Sequence, residues 1–495
     1  MKKTENKVEF TIPEEVSRIT ERLEKAGFEA YVIGGCVRDL FLKKTPKDWD
    51  ITTNAKPEQI IALFEETFYE NNYGTVGVVN KDTKDKTLTV VEVTPYRLEA
   101  IYSDNRRPDY VTFSNKLESD LERRDFSINA IAYSPSKSSV VDLHGGQEDL
   151  KNKLIRTVGE AEKRFNEDGL RILRAIRFHA ELGFTINNET ERAIEKTSFL
   201  LEKISKERIR DEFTRIIMSN NPVEAIILSH RLGILKYIVS EMEKGIGVEQ
   251  NQAHSYDVWT HNLKTLQHAV DKKWGLTLRL SALLHDVGKP HVREWSEEKE
   301  DWTFHGHDVL GARLTEKMLK ELKFPKETIE DVTKLIRSHM FFSDTDQITL
   351  SAVRRLVARV GKEKVWDLMN LRACDRIGTG RPKENPYRLR KYKAMIEEVM
   401  TDPISVGMLK INGNVLIEKL KLSPSPKIGF ILHALLEEVL EDPSLNKENI
   451  LEEKASKLAK LSDEELKKIG EQGKMKKEGE QEKKIKEIRG KYWVE

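Results

Sequence analysis

The chain has 495 residues, more than one hydrophobic core usually supports, so two to four domains are expected. Charged residues make up 34% of it but the formal net charge is only +1, so contact with nucleic acid would have to come from local basic patches. The two cysteines, Cys36 and Cys374, lie far apart, and no apolar run approaches the roughly 18 residues of a membrane helix, so a soluble cytoplasmic protein is predicted.

The first predicted elements are a helix and a short buried strand that ends in two glycines. Residues 12–27 have the apolar spacing of a helix that stops at Gly27. The strand YVI runs into Gly34 and Gly35, which allow the backbone to turn and to approach a ligand closely. Backbone N–H groups at such a turn, together with the cation of Arg38, suit a triphosphate.

Two carboxylates follow on the next predicted strand. Asp48 and Asp50 alternate with Trp49 and Ile51, so both carboxylates point to one face. Neighbouring carboxylates repel each other unless a cation lies between them, which favours Mg²⁺ that bridges to nucleotide phosphates. Either motif alone is compatible with an ordinary turn or an exposed strand edge, but together they predict phosphoryl transfer.

The motif GGCVRD followed by DWD resembles the nucleotidyltransferase domain of the bacterial tRNA nucleotidyltransferase and poly(A) polymerase family. The resemblance covers about residues 25–455. It implies that the chain transfers nucleotides to the 3′ end of tRNA.

Strand patterns dominate from about residue 72 to residue 150. Glu92 lies between two valines, so its carboxylate is on the face opposite theirs, where it either completes a trio of acids with Asp48 and Asp50 or faces solvent. The polar segment 99–108 resembles the family's flexible loop, which supports the change from C to A addition.

The stretch RRDFSINA resembles the second motif of the family. Arg124 is suited to neutralise phosphate, and Asp125 and Asn129 offer an acceptor and a donor to a ribose hydroxyl. The alternative is a capped amphipathic helix that begins near Asp125, which would leave the two arginines without a role. Residues 142–150, DLHGGQEDL, resemble the motif that connects head and neck.

Beyond about residue 155 the pattern is helical, and the first helix is predicted to include residues 167–178, EDGLRILRAIRF. Its charged residues recur every three positions as one stripe: Asp168, Arg171, Arg174 and Arg177. Three arginines behind one aspartate indicate a bound nucleotide, and the stretch resembles the family's EDxxR motif. Asp168 and Arg171 are expected to project in parallel and to select cytosine and adenine, which both present an amine donor beside a ring-nitrogen acceptor.

A second group of candidate residues lies in the following helical region. HDVGK, GHD and SH, beginning at residues 285, 306 and 338, resemble the motifs of an HD domain. The candidate metal ligands are His261, His285, Asp286, His307, His339 and Asp375. Imidazole and carboxylate suit one or two divalent ions, and such an ion could activate water against a phosphoester, although some family members keep this domain only as a scaffold. His305 is less expected as a ligand, since the family's histidine follows the glycine.

The predicted fold class is α+β, with a small mixed-sheet nucleotidyltransferase head followed by an all-α neck, body, HD domain and tail. The predicted domains are the head (25–155), the neck and body that bind nucleotide and RNA (156–245), the HD domain (250–395), a tRNA-binding tail (400–460) and a charged extension (461–495). No prediction is made for the oligomeric state.

The predicted activity is template-independent addition of CCA to the tRNA 3′ end from CTP and ATP. Mg²⁺ is expected on Asp48 and Asp50, with Glu92 as a further catalytic acid, and a second divalent metal is expected in the HD domain. The alternatives are a poly(A) polymerase or an enzyme restricted to A or CC addition, a metal-dependent phosphohydrolase with a relic head, and a non-catalytic tRNA-binding protein.

Overall fold

The computed structural model describes residues 8–69, 74–99, 111–252, 254–341 and 348–466. It divides into two compact units, Met1–Ile238 and Val239–Glu495. Most of the loop expected at 99–108 and of the extension expected at 461–495 lies outside the described residues. Within the described ranges, no helix is both long and apolar enough to cross a membrane.

A mixed sheet forms the framework of the first unit. The strands of this unit are β1 (Ala30–Ile33), β2 (Asp50–Thr53), β3 (Thr67–Tyr69), β4 (Val76–Val79), β5 (Val90–Pro95), β6 (Arg97–Glu99), β7 (Val111–Phe113), β8 (Ile131–Ser134), β9 (Ser139–Asp142), β10 (Leu154–Ile155) and β11 (Thr185–Ile186). Seven of them form one sheet in the order β3-β4-β5-β2-β1-β8-β9. In this sheet β2 and β5 run parallel and the other neighbours run antiparallel. The parallel pair matters most, because it carries the predicted catalytic acids.

Helices pack on this sheet and then replace it along the chain. Those of the first unit are α1 (Glu14–Lys25), α2 (Gly35–Phe41), α3 (Pro57–Leu63), α4 (Leu117–Glu122), α5 (Gly146–Lys151), α6 (Ala161–Glu167), α7 (Leu170–Leu182), α8 (Asn188–Thr197), α9 (Lys206–Met218) and α10 (Pro222–Arg231). Helix α1 lies within the predicted range 12–27 and buries Val16, Ile19 and Leu23, which recur at helical spacing. The predicted α+β class is confirmed.

The helix predicted through residues 167–178 is in fact two helices. Helix α6 ends at Glu167, Asp168 has extended backbone angles (φ −144°, ψ 106°), and α7 begins at Leu170. The Asp168 carboxylate accepts a hydrogen bond from the Leu170 N–H at 3.0 Å, a local bond that favours a helix start over a helix interior. The prediction of one continuous charged stripe was therefore wrong at its first member.

The second unit is helical apart from one hairpin in its described residues. Its elements are α11 (Val258–Asp271), α12 (Leu276–Leu284), α13 (Lys289–Val292), β12 (Glu294–Ser296), β13 (Asp301–Thr303), α14 (His307–Glu321), α15 (Lys326–Ser338), α16 (Leu350–Val360), α17 (Lys364–Gly378), α18 (Tyr387–Val399), α19 (Gly413–Leu420), α20 (Pro426–Glu441) and α21 (Glu448–Leu458). A continuous apolar core includes Leu356, Met369, Ile396 and Leu435 from four of these helices. This core supports the helices that carry the candidate metal ligands.

Candidate functional sites

Two acids of the head lie side by side on the parallel strands. Asp50 of β2 is the register partner of Glu92 of β5, so both carboxylates project to the same face of the sheet. Val91 and Val93 are fully buried on the other face, whereas Glu92 and Asp48 are exposed. Burial raises the pKa of Asp50, the nearby Arg124 lowers it, and the negative charge of Asp48 raises it further. The three predicted catalytic acids are thus grouped at one place, where a cation would stabilise their ionised forms.

Gly34 forms the surface next to this acid group. Its φ is +82°, and a Cβ atom at this position would lie 2.9 Å from Nη1 of Arg124 and 3.6 Å from Oδ2 of Asp50. Glycine alone adopts this conformation readily and leaves this space open. The glycine turn, the first acid motif and the second arginine motif therefore meet at one point.

A chain of hydrogen bonds joins three of the predicted motifs. Nη1 of Arg38 donates to Oδ1 of Asn129 at 2.9 Å, and Nδ2 of Asn129 donates to Oδ1 of Asp125 at 3.4 Å. Nε of Arg174 donates to the other oxygen of Asp125 at 2.7 Å. Burial raises the pKa of Asp125, but Arg174 and Arg171 lower it more, to about 2, so the carboxylate is ionised at neutral pH. This chain holds two arginines, Arg38 and Arg174, in fixed positions at its two ends.

Asp168 and Arg171 do not form the parallel pair that the sequence predicts. The Asp168 carboxylate accepts hydrogen bonds from both Nη atoms of Arg208 on α9, at 3.3 and 2.7 Å. Arg171 is 7% exposed and donates to Glu167 at 2.5 Å and to the carbonyls of Arg164 and Arg123 at 3.1 Å. The two side chains have separate partners because Asp168 precedes α7 and Arg171 is part of it.

Arg177 is buried inside the first unit. It is 3% exposed, and its Nε donates to Glu212 of α9 at 2.6 Å while its Nη1 donates to Glu181 at 3.1 Å. Burial lowers the pKa of this guanidinium and Glu212 raises it. The structure thus places Arg177 in the packing between α7 and α9, away from solvent, which supports a structural role in place of the predicted contact with nucleotide.

The six candidate metal ligands of the second unit converge around Asp286. They come from α11 (His261), the end of α12 (His285 and Asp286), the start of α14 (His307), the end of α15 (His339) and α17 (Asp375). Oδ2 of Asp286 lies 3.2 Å from Nε2 of His261 and 3.3 Å from Nε2 of His285. Oδ1 of Asp286 lies 3.4 Å from Nε2 of His307 and 3.7 Å from Nε2 of His339. Oδ1 of Asp375 lies 3.3 Å from Nε2 of His261.

Backbone carbonyls set the orientation of three of these imidazoles. Nδ1 of His285, His307 and His339 lies 2.6 to 3.0 Å from the carbonyl oxygen three residues earlier. A carbonyl only accepts hydrogen bonds, so each Nδ1 carries the proton and each Nε2 offers a lone pair.

The Nε2 atoms face one another across short distances. Nε2 of His285 is 3.0 Å from Nε2 of His261, and Nε2 of His307 is 3.3 Å from Nε2 of His339. Burial lowers the pKa of His285, but Asp286 and Asp375 raise it to about 9, so His285 carries the positive charge between these carboxylates when no cation is bound. A divalent ion would replace that proton at Nε2. A buried set of converging imidazoles and carboxylates fits divalent metal ions, in two groups that share Asp286.

Family models match three parts of the chain. They are described as a poly A polymerase head domain (residues 30–156), a probable RNA and SrmB-binding site of polymerase A (residues 183–246) and an HD domain (residues 258–373). The first contains the acid group, and the third contains every candidate metal ligand of the second unit except Asp375.

Several similar proteins have the name CCA-adding enzyme. That of Ligilactobacillus salivarius is 32% identical over 454 residues, which covers 90% of this chain and 98% of the relative. That of Lactiplantibacillus plantarum is 31% identical and covers 88% of this chain and 93% of the relative. A local match to the enzyme of Leuconostoc mesenteroides is 42% identical over 262 residues and covers 63% of that relative.

Solved structures agree with these matches. The Bacillus stearothermophilus CCA-adding enzyme in complex with CTP has a TM-score of 0.65 and 27% identity, and the match covers 91% of this chain and 100% of that one. The Thermotoga maritima CCA-adding enzyme complexed with tRNA has a TM-score of 0.54 and 20% identity, and the match covers 92% of this chain and 100% of that one. At this identity the match shows a likeness of fold.

Proposed function

Since the chain belongs to the family of CCA-adding enzymes, we propose that it adds C, C and A to the 3′ end of tRNA from CTP and ATP. The observation that carries this proposal is the group formed by Asp50, Glu92, Arg124 and Gly34. In each addition the terminal 3′-oxygen of the tRNA forms a bond to the α-phosphorus. The bond from that phosphorus to the β-phosphate oxygen breaks, and pyrophosphate leaves while the hydroxyl proton is released.

We assign the following roles to the residues of the head. Asp48, Asp50 and Glu92 would hold Mg²⁺, which supplies positive charge to the triphosphate and lowers the pKa of a bound hydroxyl. Arg124 adds a fixed positive charge beside Asp50, and the missing side chain of Gly34 leaves space for the phosphates. The chain of hydrogen bonds from Arg38 through Asn129 and Asp125 to Arg174 orients groups for the sugar and phosphates.

We retain Asp168 and Arg171 as the residues proposed to select the base. A carboxylate acceptor and a guanidinium donor match the amine and ring nitrogen of cytosine and adenine and oppose the corresponding groups of uracil and guanine. In the structure Arg208 holds the Asp168 carboxylate, so an incoming base would share or replace that ion pair.

Nucleotide addition to a tRNA that lacks its 3′ CCA tests the proposal. The purified chain is incubated with this tRNA and each labelled nucleotide singly and in combination, and the added residues are counted. We expect two C residues from CTP and one A after them from ATP. A ladder of A residues would indicate a poly(A) polymerase, addition of A only to tRNA that ends in CC would indicate an A-adding enzyme, and no addition would overturn the proposal.

A second proposed function is metal-dependent hydrolysis of phosphoesters in the second unit, favoured by the six converging ligands. The oxygen of a water molecule would form the new bond to phosphorus, the ester P–O bond would break, and the leaving alcohol would take a proton. The test measures the rate at which the wild type hydrolyses a phosphoester with Mn²⁺, Mg²⁺, Ni²⁺ or Zn²⁺. The same rate is measured for a His285→Ala, Asp286→Ala double variant. Equal release of phosphate by the two proteins, or none by either, would leave this region a scaffold.

A further inference from the structure

A cavity of about 780 Å³ opens onto the histidine and aspartate centre of the second unit. Its lining includes six cationic side chains, Lys289, Lys299, Arg372, Arg376, Arg381 and Arg388. Among the described lining residues Asp301 is the one acid outside the metal ligands. The charge indicates an anionic ligand, and the volume, within the range of pockets for whole organic molecules, indicates more than a phosphate group.

The hairpin of β12 and β13 supplies one wall of this cavity. In its register Trp295 lies opposite Trp302. The Asp301 carboxylate accepts hydrogen bonds from the backbone N–H of Gln252 at 3.1 Å and from that of Trp302 at 2.8 Å. The hairpin is thus tied to the segment around Asn251, which also lines the cavity, and is held in place beside the metal ligands.

Trp302 is a residue of this hairpin that both lines the cavity and has its ring held by two neighbours. The guanidinium carbon of Arg293 lies 3.6 Å from the ring centre, so one face is covered by a cation. The ring of Trp295 meets Trp302 edge to face at 5.2 Å and 78°. These contacts fix the indole, which stays half-buried and lines the cavity. Tyr387, 66% exposed, lines the same cavity.

We propose that Trp302 stacks against the base of a nucleotide whose phosphate lies at the histidine and aspartate centre. The inference rests on the proposed hydrolase function of this unit and extends it, because it makes the hairpin the element that determines specificity. A rigid indole beside a cationic, metal-binding centre offers apolar contact to a base and charge to its phosphate at once. A phosphoester without an aromatic group would use the centre alone. The nucleotide is either free or the terminal residue of an RNA strand.

Three substrates and four proteins test the inference. The Mn²⁺-loaded full chain is incubated with each of three substrates, and the rate of hydrolysis is measured. The substrates are adenosine monophosphate, a short single-stranded RNA with a terminal phosphate, and glycerol phosphate. The proteins are the wild type, Trp302→Ala, Trp302→Phe and Trp295→Ala, of which the last removes the ring that packs edge to face on Trp302 but keeps Trp302 itself. Equilibrium binding of adenosine monophosphate and of the RNA is measured by calorimetry in parallel. The first unit is identical in all four proteins, so any nucleotide or RNA that it binds adds the same signal to each measurement.

We expect Trp302→Ala to raise KM for the nucleotide about tenfold or more with little change in kcat, and to weaken its binding equally. Hydrolysis of glycerol phosphate should not change, and Trp302→Phe should recover most of the loss. Trp295→Ala, which removes a neighbour of the Trp302 ring but keeps that ring, should show a smaller loss than Trp302→Ala. An effect on the RNA but not on the mononucleotide would identify the RNA end as the ligand, and the reverse would identify the free nucleotide.

Two results would overturn the inference while the hydrolase function stands: unchanged binding of the mononucleotide and unchanged hydrolysis of the RNA in Trp302→Ala, or an equal loss toward glycerol phosphate. Absence of hydrolysis by the wild type would instead overturn the hydrolase function. In that case calorimetry with the mononucleotide and with the RNA still decides the stacking, because unchanged binding of both ligands in Trp302→Ala would refute it.

Discussion

At the scale of single residues, Gly34 shows most directly how the backbone shapes the proposed active site. Its positive φ and its approach to Arg124 and Asp50 leave no space for a side chain. The closest atom to a new methyl group would be the end of a flexible arginine, so the chain can fold around it. The cost would therefore fall on the position of the Arg124 guanidinium relative to Asp50.

We expect Gly34→Ala to reduce nucleotide addition about 100-fold, the typical effect of a displacement of about 1 Å in an active site. The free energy of unfolding should fall by about 1 to 3 kcal/mol, the cost of holding alanine in a sparsely populated backbone region (φ +82°, ψ −132°). Gly27→Ala is the matched control, since Gly27 has a φ of +88° with nothing within 4 Å of a new Cβ. If Gly34→Ala retains activity within a few-fold of Gly27→Ala, the close approach has no catalytic importance.

Asp125 allows a test of the buried ion pair with Arg174. Its pKa in the folded chain, about 2, is below the usual 3.8, so the ionised carboxylate stabilises the fold above about pH 4, and this contribution is lost as pH falls toward 2. The Arg174 side chain is 35% exposed, so solvent weakens the pair. We expect Asp125→Asn to lower the free energy of unfolding at pH 7 by about 2 kcal/mol.

The measurement is urea unfolding of both proteins from pH 7 to pH 3. The difference between them should stay constant down to about pH 4 and become smaller below it. A difference that grows as the pH falls would mean that the carboxylate does not provide the stabilisation. Arg156→Gln, which removes an ion pair to Asp149 in the same unit, controls for general loss of charge.

At the scale of elements, the sequence predicted strand faces better than helix ends. Alternation of Val91, Glu92 and Val93 was enough to place the glutamate on the exposed face of its strand. The break at Asp168 and Gly169 was missed, although aspartate and glycine both favour a helix terminus over a helix interior. No sequence pattern predicted the ion pair between Arg208 and Asp168, because Arg208 reaches Asp168 only through packing of α9 beside α7.

This local structure refines the test of base selection. Asp168→Asn keeps an oxygen that can accept from the Leu170 N–H but replaces one carboxylate oxygen with an amide donor. We expect it to lower the preference for CTP and ATP over UTP and GTP about tenfold, since an opposed polar contact costs about 1 to 3 kcal/mol. Steady-state incorporation of all four nucleotides measures this preference.

Arg208→Gln is the control for that experiment. It removes the cation that holds Asp168 but leaves the carboxylate, so KM should change while the order of preference stays the same. If Arg208→Gln loses the preference and Asp168→Asn keeps it, the base is selected by the arginine of α9.

At the scale of the whole molecule, each proposed site draws its ligands from one compact unit. The acids of the head lie within Met1–Ile238, and the six candidate metal ligands lie within Val239–Glu495. The motifs predicted that the two groups belong to different domains, because each motif carries its own chemistry, and metal binding by the six residues stays a prediction. The hairpin with Trp302 was not predicted, since a short strand pair between two helices leaves little periodicity in the sequence.

The two sites are therefore expected to work independently. The His285→Ala, Asp286→Ala double variant should add CCA at a rate within a few-fold of the wild type, and Asp50→Ala should lose nucleotide addition but keep tRNA binding and any phosphoester hydrolysis.

Mn²⁺ should also stabilise the second unit against heat, by about 2.7 kcal/mol at a hundredfold excess over its dissociation constant. This shift should be present in Asp50→Ala and absent in the double variant, whose buried ligand set is broken. Loss of nucleotide addition in the double variant despite a folded first unit would show that the sites are coupled, and an equal thermal shift in both variants would place the metal elsewhere.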